Sequence, residues 1–316
     1  MMKGVVIKST GSWYKVLVNE VDTYDCRIAG KFKLMDKRFT NPIAVGDEVT
    51  IELESGDENT AVIREIIRRH NYVVRQSPRK KHHLHIIASN VDQAMLIVTM
   101  REPNLKMGFL DRFMMMTEPY SIPTVIVFNK IDICTPAELK KLDALIKIYN
   151  QIGYKVLKTS AVTQEGLTEF KELLSDKVTL LSGQSGVGKS TLVNAIEPTL
   201  DLRTYEISDF SGKGQHTTTF AQMFKLSFGG YLIDTPGIKS LSFTHLSIKD
   251  IAHNFREFFA VSSQCRYSDC SHRNEPKCAV KDGVENGTIS PIRYQSYLSL
   301  IDEVESQNYW EMNEDL

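Results

Sequence analysis

The run Gly183-Gln184-Ser185-Gly186-Val187-Gly188-Lys189-Ser190 has the form G-x-x-x-x-G-K-[ST], with Thr191 next in the chain. Glycines let a backbone curl until several N–H groups point at one anion, and a helix that follows adds its positive end. Lys189 is then placed to reach the β- and γ-phosphates of a nucleoside triphosphate, and Ser190 to ligate magnesium. Earlier stands Asn129-Lys130-Ile131-Asp132, an N-K-x-D pattern. The Asp132 carboxylate can accept hydrogen bonds from the ring N–H and the exocyclic amine of guanine, a pair adenine does not offer, so the buried edge discriminates strongly. Asn129 is expected to brace the loop and Lys130 to cover the base. Ser160 and Ala161, in Thr159-Ser160-Ala161, can turn a backbone N–H toward the guanine carbonyl. Later, Asp234-Thr235-Pro236-Gly237 offers a carboxylate for the magnesium shell and, at Gly237, an N–H for the γ-phosphate. In the polar segment Gly212–Thr219 between them, Thr218 is the threonine expected to complete that shell. Finally, Cys265, Cys270, His272 and Cys278 supply three thiolates and an imidazole, a full tetrahedral set for one structural zinc with no position left for water.

The elements that must hold these groups follow from the flanking patterns. Val178–Leu181 is apolar and Thr191–Ile196 is amphipathic, so the phosphate loop lies between a strand and a helix. Val91–Val98 and Thr124–Phe128 read as buried strands, and Lys155–Leu157 as another. Thr135-Pro-Ala-Glu138 is a capping box with proline at the first helical position, and Leu139, Leu142 and Ile146 continue its apolar stripe. Buried strands alternating with amphipathic helices predict an α/β domain with a parallel sheet covered on both faces. Met114, Met115 and Met116 are read as core. Residues 1–67 instead alternate in five short bursts divided by turns, which predicts a small all-β barrel. An OB-fold leads, and an SH3-like barrel leaves nearly the same pattern. Lys31, Phe32, Lys33, Lys37 and Arg38 would suit a nucleic-acid face, while Trp13 and Phe32 could equally fill the core. The expected divisions are a barrel at 1–67, a basic linker at 68–85, a GTPase domain at 86–242 and a helical zinc-binding domain at 243–316. In the last, Ile248–Ala260 and Ser290–Glu305 read as helices whose stripes, Phe255, Phe258 and Phe259, then Tyr294, Tyr297, Leu298 and Ile301, belong to the core.

Composition narrows the class further. The formal net charge of −1 conceals a basic stretch from Arg64 to Lys81, broken only by Glu65, and a tail after Ser299 without Lys or Arg, which permits a polyanionic partner. Five cysteines, three of them crowded into the candidate zinc set, argue against a disulfide framework. No apolar run is long enough for a membrane span, and charge interrupts the N-terminus too early for a signal peptide, so a cytoplasmic location is expected, and a monomer is expected as well.

The guanine-reading motifs precede the phosphate loop, the reverse of ordinary GTPases, so the sheet is traced from a different starting strand, as in a circular permutation. That order, the barrel and the cysteine cluster together resemble the RsgA/YjeQ family of small-ribosomal-subunit-dependent GTPases, along essentially the whole chain. The resemblance implies binding of GTP and GDP with magnesium, contact of the barrel and zinc domain with ribosomal RNA or protein of the small subunit, and hydrolysis during late subunit maturation. An RNA-chaperone-like module with nucleotide as a structural ligand is the alternative. Ile238 stands where many GTPases have a water-orienting glutamine. By the resemblance, the switch histidine takes over that task, and it corresponds to His216. Relatives commonly show E-P-G-C-A-V at the last zinc ligand, whereas this chain has Lys277 before Cys278.

Overall fold

A computed structural model of the chain describes residues 1–30, 39–54, 57–76, 83–200, 221–234 and 246–313. The first strands are β1 (Met2–Ser9), β2 (Tyr14–Val18), β3 (Asp22–Ile28), β4 (Glu48–Glu54) and β5 (Asp57–Ile66). Their alternation is strict where it matters. Tyr14, Val16 and Val18 of β2 point inward to meet Val6, Cys26, Val49, Ile51, Ala61 and Ile63. Pairing runs β1-β2-β3-β5-β4 and returns to β1, with only β3–β5 parallel, so the sheet closes on itself. This order settles the barrel as an OB-fold and removes the SH3-like reading.

The stretch read as a basic linker is not free chain. It carries β6 (Tyr72–Gln76), which pairs antiparallel with β7 (Leu84–Ser89). The hairpin is fastened to the barrel through the fully buried Asp47, which accepts from Arg69 Nε and Nη2 at 2.6 Å each, Ser89 Oγ at 2.6 Å and the Ala44 amide at 2.8 Å. Gly46 makes that approach possible: its φ is +93°, and a Cβ there would lie 2.0 Å from the Ser89 carbonyl oxygen.

Beyond the hairpin come β8 (Gln93–Thr99), α1 (Met107–Thr117), β9 (Thr124–Asn129), α2 (Pro136–Gln151), β10 (Lys155–Lys158), α3 (Leu167–Leu174), β11 (Val178–Gly183), α4 (Lys189–Ile196), β12 (Gln222–Lys225) and β13 (Tyr231–Asp234). The sheet order is β10-β9-β8-β11-β13-β12, parallel except for the antiparallel edge strand β12. Every residue of β8 and β9 is buried, as continuous apolar runs covered on both faces require. Both halves of the capping box expected at Thr135 and Glu138 are formed, and Met114, Met115 and Met116 lie in the core. Through a bridge between Gln222 of β12 and Lys8 of β1 the GTPase sheet runs on into the barrel, and Lys225 reinforces this seam with an ion pair to Glu20 at 2.8 Å.

The C-terminal helices are α5 (Ile248–Asn254), α6 (Arg256–Ser262), α7 (Ala279–Glu285) and α8 (Pro291–Asn313). One helix was expected across 248–260, but the chain turns at Phe255, which is extended at φ −87° and ψ 100° and lets α6 start afresh. The turn buries Phe255 and Phe258 and leaves Phe259 59% exposed, so Phe259 does not belong to the core stripe. Phe255, Phe258, Tyr297 and Ile301 join Leu110 and Phe113 of α1 in one continuous core. Among the described residues no helix is long and apolar enough to cross a membrane.

Candidate functional site

Parallel strands deliver their carboxyl ends to a single edge of the sheet, where α/β proteins bind ligands. Here the register puts Thr99 beside Asn129, Phe128 beside Lys158, Ile97 beside Gly183 and Leu181 beside Asp234. The guanine motif, the Ser160 loop, the phosphate loop and Asp234 thus emerge side by side, although the chain reaches them in a permuted sequence.

Within this edge the loops brace each other. Gly186 and Gly188 hold φ values of +83° and +87°, left-handed conformations that favour glycine. A Cβ at Gly188 would lie 2.6 Å from Asn129 Nδ2, which donates to the Val187 carbonyl at 2.9 Å, while Asn129 Oδ1 accepts from Thr159 Oγ1 at 3.1 Å. Asn129 therefore ties the phosphate loop to both base-reading loops. Lys189 is almost wholly buried, its ammonium donating to the carbonyls of Gly183 and Gln184 at 2.9 and 3.1 Å, so its charge is centred in the loop mouth. Ser185 and Gly186 are exposed at the tip, and Lys189, Ser190 and Thr191 form the first turn of α4, whose N-terminal end follows the loop directly.

Asp132 accepts from Ser160 Oγ at 2.5 Å, and Ser160 Oγ in turn accepts from the amides of Val162 and Thr163. The carboxylate is thereby fixed in orientation. The Ser160 amide is used by the Glu165 carbonyl, which makes Ala161 the better placed of the two to offer an N–H to a guanine oxygen. Lys130 sits at φ +60° and donates from Nζ to the Glu102 carbonyl at 2.8 Å. That partner lies in the loop after β8, where Pro103 also accepts from Thr99 Oγ1 at 2.7 Å and borders Gly186. Sequence reasoning missed this loop, since its only signal is the Pro103-Asn104 turn dipeptide. His216, Thr218 and Gly237, like Lys31, Phe32, Lys33, Lys37 and Arg38 of the barrel, fall outside the described residues.

A second centre lies in the helical domain. The ligand atoms of Cys265, Cys270, His272 and Cys278 all fall within 4.8 Å of one another, with His272 Nδ1 3.4 Å from Cys278 Sγ and 3.7 Å from Cys265 Sγ. Zn–S bonds of about 2.3 Å set tetrahedral edges of roughly 3.8 Å, and soft thiolates with an imidazole favour zinc over hard cations, so the donor set fits. Burial pushes the Cys270 thiol up to about 12, so a compensating cation is what lets these thiols ionise together. Glu275 shapes the turn. Burial alone would raise its carboxyl, but hydrogen bonds from Ser271 Oγ and the Ser271 and Arg273 amides hold it at about 2. Tyr294 and Tyr297 donate to the His272 and Ser271 carbonyls at 2.7 Å each, fastening the turn to α8.

Lys277 adopts φ +56°, the left-handed region where a side chain is strained and glycine is not. Lys277→Gly is therefore expected to stabilise the domain by up to about 1 kcal/mol, the relieved strain outweighing the added chain entropy. Thermal melting of the zinc-loaded chain checks this, and a drop in melting temperature would contradict it.

The chain is similar to known proteins along nearly its whole length. Residues 66–244 match the family described as RsgA GTPase, and residues 3–63 the RsgA N-terminal domain. The chain is 48% identical over 308 residues to a Bacteroides fragilis protein named small ribosomal subunit biogenesis GTPase RsgA, covering 98% of this chain and 99% of that one. A protein of the same name from Flavobacterium psychrophilum is 48% identical over 302 residues, with 95% and 93% covered. Among solved structures, YjeQ from Thermotoga maritima superposes with a TM-score of 0.77 at 34% identity, covering 96% of this chain and 98% of the other. YloQ, described as a circularly permuted GTPase, gives 0.73 at 30% identity, with 97% and 96% covered.

Proposed function

The chain belongs to the RsgA family of GTPases, and from that membership we propose that it hydrolyses GTP on the small ribosomal subunit as a late check on that subunit's maturation. The observation that carries the reading is the bracing of Asp132, Asn129 and the phosphate loop at one sheet edge, which joins guanine recognition to a triphosphate cradle. The alternative of an RNA-chaperone module with nucleotide as a mere structural ligand gains nothing from the relatives, which are named as GTPases.

In this reading Asp132 grips the two guanine N–H groups, Ala161 offers its amide to the guanine carbonyl, and Lys130 lies along the base. Lys189 and the amides of residues 184–191 hold the phosphates. Ser190, Asp234 and Thr218 would hold magnesium, which would supply neutralisation of phosphate charge. Gly237 contacts the γ-phosphate. His216 orients or accepts from the attacking water, as a neutral imidazole can near its ordinary pKa. Cys265, Cys270, His272 and Cys278 hold one zinc that staples the helical domain, with no catalytic part. The expected partner is the small subunit, met by an otherwise monomeric, cytoplasmic protein.

Phosphoryl transfer depends on positioning, and a partner that completes the site adds roughly 10³ to 10⁵ in rate. Turnover is therefore expected to be slow alone and to rise steeply with small subunits but not with large ones. His216→Ala is expected to lower stimulated turnover by about 10²-fold or more, with GTP affinity kept. Equal turnover with and without small subunits would sink the reading, and an unchanged His216→Ala rate would remove histidine from the mechanism.

A further inference from the structure

The barrel places an aromatic ring where the nucleotide chemistry does not use it. Trp13, at the turn between β1 and β2, is 44% exposed and so is not core. Its backbone is fixed: the Trp13 carbonyl accepts from the Thr10 amide at 2.9 Å and from Thr10 Oγ1 at 3.1 Å. Tyr14 pairs with Cys26, so Trp13 stands level with Arg27 of β3, whose guanidinium lies over the indole 5.7 Å from the ring centroid. Arg27 is itself held by both oxygens of Glu54 at 2.6 and 2.7 Å. Next to Glu54, at the end of β4, Leu53 is 47% exposed. Among the described residues, an indole on a rigid turn, backed by an anchored cation, leaves apolar surface unburied with no return.

The position of this group decides what it can bind. In OB-folds the face of strands β2 and β3, with the β1–β2 and β4–β5 loops, takes single-stranded nucleic acid. Trp13, Arg27 and the Leu53–Glu54 end of β4 map onto that face. Bases stack on aromatic rings whatever their identity, and a guanidinium strengthens the platform.

We propose that Trp13 is a base-stacking platform for one unpaired nucleotide of single-stranded RNA, with Arg27 as its positioning residue. The proposal rests on the reading of this chain as a ribosomal-RNA-contacting GTPase and adds the residue and the mode of contact. The contact is sequence-tolerant, since it reads a π-face and not a hydrogen-bonding edge.

The chain has only two tryptophans, so W310F leaves Trp13 as the sole indole emitter. In the full-length W310F chain, titration with uridine and adenosine dodecamers is expected to give saturable quenching by both. Trp13→Ala should weaken binding of the labelled dodecamers about 5- to 150-fold by anisotropy, the range for one stacked base, while Trp13→Phe keeps most of it. Arg27→Ala should lower the quenching amplitude and weaken binding less than Trp13→Ala does. Nucleotide affinity serves as the folding control and is expected to be unchanged. Saturable RNA binding with unaltered Trp13 emission and an unaltered Trp13→Ala affinity would overturn the platform and leave the ribosomal reading standing. Absence of RNA binding alongside intact subunit-stimulated hydrolysis, with quenching by subunits alone, would overturn it in favour of a protein contact. Absence of both RNA binding and subunit stimulation would overturn the underlying reading as well.

Discussion

Asp132→Asn is expected to lower GTP affinity by about 10³- to 10⁴-fold, because the exchange turns an acceptor toward guanine into a donor. Ser160 Oγ donates to Asp132 Oδ1 at 2.5 Å, and the same hydroxyl will hold the asparagine with its oxygen at that position. The amide –NH₂ then replaces Oδ2 and faces the guanine exocyclic amine, donor against donor. Xanthine carries a carbonyl there and keeps its ring N–H, so both asparagine groups find partners. Xanthosine triphosphate is therefore expected to bind the variant within about tenfold of the GTP affinity of the parent chain, a loss of under ~1.4 kcal/mol. Competition against a fluorescent guanine nucleotide measures both changes. A GTP loss of less than tenfold would show that the base does not sit on Asp132.

The second large effect concerns the joint between the GTPase and helical domains. Arg293 at the start of α8 is fully buried and donates to Asp111 of α1, which is also fully buried, and to both oxygens of Glu257 of α6 at 2.7 and 3.1 Å. Tyr149 donates to the same Asp111 oxygen at 3.0 Å, and the Phe255 ring lies 4.3 Å from the guanidinium carbon. Burial alone would lower the Arg293 pKa, yet the two carboxylates reverse this and raise it well above the ordinary value. Arg293→Met leaves two carboxylates in a space with no cation, a change expected to cost about 3–5 kcal/mol. Arg293→Lys should recover little, because an ammonium cannot make the forked contacts that reach Asp111 and Glu257 together. Thermal melting is expected to fall by more than about 5 °C in both variants. Adding Asp111→Asn and Glu257→Gln to Arg293→Met should restore part of the loss, and failure to do so would mean that packing, not charge, dominates the joint.

What the sequence disclosed depended on how far apart the cooperating residues lie. The phosphate loop, N-K-x-D and the cysteine cluster are contiguous, and each carries its chemistry in its spacing. The alternating β1–β5 strands and the buried β8 and β9 were legible for a similar reason, since periodicity is a local property. The contact of Lys130 with Glu102 and that of Arg293 with Asp111 are tertiary, across 28 and 182 residues, and no local pattern marks them. Phe259 and Trp13 show the limit from the other side. Hydropathy assigns Phe259 to a core and leaves Trp13 open, but the turn at Phe255 rotates the one outward and the rigid β1–β2 turn holds the other in solvent. The hairpin of β6 and β7 was hidden by the basic composition of residues 64–81, which alone reads as linker.

The seam between β12 and β1 has a mechanical meaning once the permuted order is taken with it. β12 is the first described strand after residues 201–220, and through Gln222 and Lys8 the barrel is zipped to that strand. On the other side Ser247, the cap of α5 and the entry to the helices around the Cys/His cluster, follows β13 in the chain. The barrel is thus joined to the GTPase sheet at β12 by a sheet bridge, and the helices follow the neighbouring strand β13 along the chain. Because β12 and β13 pair with each other, a displacement of either strand is shared between the barrel and the helices.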